Sequence, residues 1–358
     1  MALEERIPVT SMLTAGALAV GLSVSVSAQW LEFPTPGIPR TADGKVNRVA
    51  PAPRTPDGKP DLSGLWEPEE SPYRFDVIQD LKDEAIFRPA AEALFLKRAL
   101  DLRRDNPVTH CLPPGPSAIF AAGATRLYRI IQSSNVIALL YELGGFRQIY
   151  TDGRPLPKDP NPTWMGYSVG HWEGDTLVVE SAGFNDKTWL DMVGHPHSEQ
   201  LRVTERFHRV DFGHLQVQVS YDDPETLTRP LTVSMSVNYA ADTDMLEYVC
   251  NENERDTAHL VGTAKIVARP DPSVLARYTG DYTYREGPPA AATFFGRTQI
   301  VSMHRGQLYM KDFPLVPQTE TRFDSTAGTI AFFVDASGKV THLILSAAEG
   351  DLKYDRKP

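Results

Sequence analysis

The sequence predicts an all-β protein with one or two helices, in which a larger antiparallel barrel or sandwich is followed by a second, smaller β domain. Three observations carry this. Beyond Arg126 the chain is a succession of short β-prone runs separated by explicit turns, the pattern of a meander rather than of alternating strands and helices. Two runs alternate with period 2: Leu215, Val217 and Val219 against Gln216, Gln218 and Ser220, and Leu231, Val233, Met235 and Val237 against Thr232, Ser234 and Ser236. The length of 358 residues exceeds one ordinary domain of roughly 100–200 residues and suits two.

Taken in order, the chain opens with an uncharged apolar run, Met12 to Val26, followed by Ser-Ala-Gln. Val26 and Ala28 suit the small-residue cleavage rule. The run falls short of the roughly 20 apolar residues a membrane-spanning helix needs. Residues 1–28 are therefore expected to be a signal peptide, although Glu4 and Glu5 against Arg6 depart from the usual positive start. That expectation places the protein in the periplasm or outside the cell, with no stable membrane span after cleavage. The formal charge of −10 becomes −9, because two acids and one base leave with the peptide. Either value argues against a nucleic-acid partner, which needs a basic stripe.

Residues 29–60 hold much of the excess of the 29 prolines and contain a near-repeat, Pro39-Arg-Thr-Ala-Asp-Gly-Lys and Pro53-Arg-Thr-Pro-Asp-Gly-Lys. Proline breaks helices and Asp-Gly favours tight turns, so an extended arm is expected here. The larger domain should cover 61–255, starting with a strand at Asp61–Trp66. Its one notable helix is expected over 89–104. Pro89 suits a first turn, and Ala91, Leu94, Phe95, Ala99 and Leu102 form an apolar stripe. Strands follow from Arg126 to Cys250, with Glu173-Gly174-Asp175 as one of the hairpin turns. A linker at 256–272 and a smaller β domain at 273–358 complete the chain. In an oxidising compartment Cys111 and Cys250 are expected to pair, and closing so long a loop would contribute about 4–5 kcal/mol in the chain-entropy treatment.

The C-terminal block opens Leu275-x-x-Tyr278-x-Gly280-x-Tyr282. It resembles the small lipocalin-like domain often found behind serine-hydrolase domains of the β-lactamase type. The upstream block carries Asp61-Leu-Ser-Gly-Leu-Trp66, Trp172-Glu-Gly-Asp-Thr-Leu-Val-Val179 and Glu205-Arg-Phe207. Over residues 54–255 it is similar to a family of exported bacterial proteins of unassigned activity. The resemblance implies lipocalin-like barrels and export, and it implies no reaction. No Ser-x-x-Lys stands ahead of a helix, so β-lactamase chemistry is not implied.

Candidate chemistry gathers between Tyr167 and His214, where five of the nine histidines fall. The loop Gly183–Glu199 is far longer than the usual connection of about 2–6 residues, and long loops on rigid barrels are where ligand-binding residues sit. It holds His195, His197, Asp186, Asp191 and Trp189. Three readings stay open. As an acid–base site, His195 or His197 moves the proton while Asp191 or Asp186 fixes the tautomer. As a metal site, the His-x-His pair presents both imidazoles to a divalent ion, completed by a carboxylate. As a solvated lid, the polar residues cap turns.

Glu205 falls on the apolar face of its strand with Leu201, Val203 and Phe207. It is either a functional carboxylate or the partner of an inward Arg147 or Arg129. Tyr167 and His171 share a face with Met165 and Val169 and, with Trp164, are candidates to line a ligand pocket. There is no Gly-x-Gly-x-x-Gly after a strand, no Walker lysine, no Gly-x-Ser-x-Gly and no Cys-x-x-Cys-His. The expectation is a cofactor-independent hydrolase or lyase/isomerase acting on a small molecule. The alternatives are a non-catalytic lipocalin-like binding protein for a small apolar ligand and a metal-dependent hydrolase.

Overall fold

The computed structural model describes residues 33–69, 71, 73, 75–101, 103–120, 127–142, 145–250, 270–311, 313–325, 327–347 and 350–358. The expected signal peptide, the start of the arm and most of the expected 256–272 linker lie outside the described residues. The protein is all-β and lipocalin-like, with two nine-stranded, barrel-like sheets.

The first barrel closes in chain order from β1 (Gly64–Pro68), β2 (Tyr128–Gln132), β3 (Val136–Tyr141), β4 (Phe146–Tyr150) and β5 (Tyr167–Glu173). It continues through β6 (Thr176–Ala182), β7 (Arg202–Arg209), β8 (His214–Asp222) and β9 (Leu231–Tyr239), which returns to pair with β1. All neighbours are antiparallel except β4 and β5. Direction cannot reverse at every step around a ring of nine, so closure needs one parallel pair. The 151–166 connection provides it as a crossover. The period-2 strands behave as their sequence requires, with Leu215, Val217, Val219, Leu231 and Val233 buried and Gln216, Gln218, Thr232 and Ser234 exposed.

Helix α1 (Pro89–Leu100) begins on Pro89 as expected and stops short of Arg104. Ala91, Phe95 and Ala99 are buried, but Leu94 is exposed and Arg98 is buried instead. The buried stripe is rotated because Arg98 docks on the long loop, donating to the Gly194 carbonyl at 3.0 Å.

The proline-rich segment is more ordered than a free arm. Each copy of the near-repeat folds into the same small hairpin, with Gly44 and Gly58 at φ +82° and +81°. Thr41 and Lys45 pair as Thr55 and Lys59 do. The segment then docks on the barrel, where Arg48 donates to the Tyr239 carbonyl and Arg54 pairs with Asp175 in the β5–β6 turn. Residues 33–38 with 241–244 form a separate small unit, joined by reciprocal hydrogen bonds between Thr35 and Asp242. Cys111 and Cys250 form the expected disulfide. Among the described residues, no helix is long and apolar enough to cross a membrane.

The second sheet comprises β10 (Gly280–Glu286), β11 (Thr298–His304), β12 (Gln307–Met310), β13 (Phe313–Pro314), β14 (Val316–Pro317), β15 (Arg322–Ser325), β16 (Gly328–Val334), β17 (Val340–Ala347) and β18 (Gly350–Arg356). Its order is β13-β12-β11-β10-β18-β17-β16-β15-β14, so the two edges are consecutive short strands that are not bonded to each other. Each edge carries a proline, Pro314 and Pro317, which suits strands that must not recruit a further neighbour. Helices α2 (Pro272–Ala276) and α3 (Pro289–Phe295) pack Leu275, Ala291 and Ala292 into its core.

Candidate active site

The long loop between β6 and β7 is not a solvated lid. Most of its residues from Gly183 to His197 are buried, with Asp186 and Lys187 the exposed exceptions. Arg98 holds Gly194, Arg103 donates to the Val193 carbonyl at 2.8 Å, and Val193 donates to Phe75 at 3.0 Å. At φ +106°, Gly194 adopts a backbone conformation that a side chain would strain, letting the chain reverse beneath α1.

That reversal brings Asp191 and His195 together. Asp191 Oδ2 accepts from His195 Nδ1 at 2.5 Å and from the Val77 amide at 2.9 Å, while Oδ1 accepts the amides of Gly194 and His195. The carboxylate is thus fully satisfied and fixed in place. Burial works to raise its pKa, but the charge of His195 and the hydrogen bonds it accepts outweigh that and hold it below the ordinary aspartate value. Burial works to lower the pKa of His195, but the charge and hydrogen bond of Asp191, then the charge of Asp76, raise it above the ordinary value. The ring is clamped between Phe87 (4.6 Å, 1°) and Phe95 (4.2 Å, 13°). In the neutral ring, Nδ1 donates to Asp191 and Nε2 carries the lone pair.

A second acid completes the cluster. Asp76 lies 3.9 Å from His195 Nδ1 and is bound by Lys82 at 3.2 Å. Burial, then repulsion from Asp191, keeps its pKa raised despite His195 and Lys82. Asp76, His195 and Lys82 line a cleft together with Glu92 on α1 and with Arg305 and Tyr309 of the second barrel.

Among the described residues, Asp76, Asp191 and His195 are the one group whose ligand atoms lie close enough to hold a metal, within 4.8 Å of one another. Their donors are largely engaged already. Both Asp191 oxygens accept N–H bonds, His195 Nδ1 donates to Asp191, and the Lys82 ammonium sits on Asp76. The arrangement is that of a hydrogen-bonded acid–base pair.

The remaining sequence candidates separate. His197 does not join His195. Its Nδ1 donates to the Ser198 carbonyl at 2.9 Å, so its Nε2 accepts from Thr188 at 2.6 Å, and burial lowers its pKa. Both nitrogens are spent on holding the loop. Asp186 is exposed, and Trp189 is buried with Arg98 4.8 Å over its ring. Trp164 is half-buried outside the cleft.

Tyr167 and His171 face outward rather than into a lumen. Tyr167 takes Arg154 and stacks on Tyr150, while His171 lies 3.4 Å from Glu173. The alternate residue Ser168 points inward, where it accepts from Arg147 at 3.0 Å, and that bond sets the phase of β5. Glu205 forms a buried, two-pronged pair with Arg147, as the ion-pair expectation had it.

Sequence reasoning missed Asp76, Lys82 and Tyr309. A lone acid in the run Phe75-Asp76-Val77-Ile78 was a usable signal for the first. Nothing local marked the other two. No family model matches the chain, and no similar protein was found among the curated proteins or the solved structures.

Proposed function

We propose that the protein is an exported, cofactor-independent enzyme that moves a proton on a small molecule, as a hydrolase or a lyase/isomerase. One observation carries this reading: a buried Asp191–His195 pair at 2.5 Å beside a cleft that His195 itself lines. Asp191 holds the Nδ1 proton and stabilises the imidazolium. His195 Nε2 takes a proton from the substrate, or from a water that attacks it, and returns it to the product or leaving group. The disulfide supports an oxidising compartment.

The test is a screen of small esters, lactones and carbonyl compounds, comparing the natural protein with His195→Asn. General acid–base catalysis contributes about 10²–10⁴-fold, so the variant should lose at least 100-fold on any substrate found. Because the base must be deprotonated, the rate should rise with pH through a value above the ordinary histidine range. A variant that keeps the full rate would sink the reading.

A second cavity supports the binding-only alternative. It lies where α1 meets the open edges of the second sheet, lined by Ala93, Leu96, Leu275, Leu315, Val316 and Phe323. Its apolar walls suit a small apolar ligand. Retention of such a ligand with no turnover of any kind would favour this alternative.

A further inference from the structure

The cleft beside His195 is shared between the two barrels. Tyr309 on β12 lines it from the second barrel, and Lys82 lies 5.3 Å over the Tyr309 ring from the first. The β11–β12 turn is held against the first barrel by a hydrogen bond between His304 and Asp83 at 3.0 Å and by an ion pair of Arg305 with Glu92 at 2.7 Å. Tyr309 is buried at 9%, and among the described residues its hydroxyl has no hydrogen-bond partner. Burial first, then the charges of Asp76 and Glu92, raise the phenol's pKa far above its ordinary value. Tyr309 therefore remains a neutral donor at any physiological pH.

The charges around the cleft determine what it admits. Asp76 is paired with Lys82, Glu84 with Arg229, Glu92 with Arg305, and His195 with Asp191. Each of these described charges has an opposite partner beside it, and Phe87, Phe95 and Ile78 add apolar wall. An uncharged molecule with an apolar part and an acceptor oxygen fits this chemistry.

We propose that Tyr309 donates a hydrogen bond to the carbonyl oxygen of an uncharged substrate held against His195 Nε2, so that the active site is completed by the second barrel. This rests on the acid–base reading of Asp191 and His195. A neutral phenol placed at the oxygen where charge develops stabilises it without giving up its proton.

Diethyl pyrocarbonate is a suitable probe, being small, uncharged and a carbonyl electrophile. The Nε2 lone pair of the neutral ring forms a bond to one carbonyl carbon, and the negative charge passes through that carbonyl oxygen. The anhydride C–O bond breaks to release ethyl carbonate anion, and the Nδ1 proton leaves by way of Asp191. Labelling of His195 and of half-exposed His214 is followed peptide by peptide by mass spectrometry in the full chain, with His214 as the internal standard for folded protein.

Loss of one oxyanion donor costs about 10²–10³-fold in enzymes, so Tyr309→Phe should slow His195 labelling at least tenfold and leave His214 unchanged. Unchanged or faster labelling at His195 overturns the role of Tyr309, since a ring that merely shields would give the faster rate. Asp191→Asn separates the two claims. If it slows His195 while Tyr309→Phe does not, the acid–base reading stands and Tyr309 falls. If natural His195 is not labelled, or Asp191→Asn has no effect, the acid–base reading falls and this proposal with it.

Discussion

The interiors of the two barrels differ in charge: the first buries an Arg–Glu pair, whereas the second, among the described residues, buries no charged side chain. In the first, seven consecutive strands, β2 to β8, each contribute at least one buried polar side chain, Tyr128, Tyr141, Arg147, Ser168, Ser181, Glu205 and Tyr221 among them, with Arg209 a second from β7. Arg147 binds Glu205 with two nitrogens and also reaches Ser168 and Ser181. In the second, the same space is filled by Tyr278, Tyr282, Phe323, Phe332, Leu343 and Leu345. A closed β-sheet therefore does not dictate what fills it. An apolar filling is non-directional and tolerates small shifts, whereas a buried ion pair demands one geometry and leaves a large penalty when half of it is removed. The barrel that presents the long His195-bearing loop is the one whose interior holds a buried, directional ion pair.

The sharpest way to break the comparison is to halve the ion pair. Glu205→Ala leaves the Arg147 charge buried without its carboxylate and should cost about 3–5 kcal/mol, read as a shift of the urea unfolding midpoint. Replacing both partners, Arg147→Met with Glu205→Leu, should recover most of that loss, because a buried pair is worth little over an apolar filling of similar volume. If the double variant is as unstable as the single one, the polar belt contributes more than the pair itself. In the second barrel Leu345→Ala should cost about 3 kcal/mol from transfer and cavity effects alone, with no partner substitution able to restore it short of refilling the volume.

These differences also explain what was legible in the sequence. The wet outer face of β8 and β9 made their period-2 alternation plain, and with it the barrel. The phase of β5 was hidden, because Tyr167, Val169 and His171 are no more apolar than Ser168, Gly170 and Trp172. Only Arg147, reaching in from β4, decides which set faces inward. Asp191 and His195 were visible as neighbours in one loop, and their pairing needed only the backbone reversal at Gly194. Asp76 and Tyr309 reach the same cleft from positions remote in the chain; the lone acid between Phe75 and Val77 was a local signal for the first, and only tertiary docking reveals Tyr309.

The two histidines of the loop provide a subtler contrast, through the pH dependence of stability. The pKa of His195 is raised on folding. Its contribution is full below the unfolded value of about 6.5 and is lost as pH rises through the folded value. The pKa of His197 is lowered by burial. Its contribution is present above about 6.5 and is lost as pH falls through the folded value. His195→Gln should therefore flatten the alkaline side of the stability profile and His197→Gln the acid side. Matching profiles for the two variants would mean that the histidines are not in the different protonation states their partners require.

The smallest expected effects test the comparison most finely, through tyrosine hydroxyls. In the second barrel Tyr282 donates to the Tyr278 carbonyl at 2.7 Å in a buried setting. Removing that hydroxyl leaves a buried carbonyl short of a donor, so Tyr282→Phe should cost about 1 kcal/mol. In the first barrel the hydroxyls of Tyr128 and Tyr221 have no hydrogen-bond partner among the described residues. Burial, joined by nearby Glu205, raises both phenols well above their ordinary pKa, so they stay neutral. Tyr128→Phe and Tyr221→Phe then remove an uncompensated buried dipole and should leave stability unchanged or raise it by a few tenths of a kcal/mol. The apolar barrel would thus lose stability on becoming more apolar, while the polar barrel would not. The reason is that the value of a buried hydroxyl lies in its acceptor, not in the polarity of its surroundings. A loss of about 1 kcal/mol from Tyr128→Phe or Tyr221→Phe would show that these hydroxyls are bonded within the first barrel, and the contrast between the two interiors would narrow accordingly.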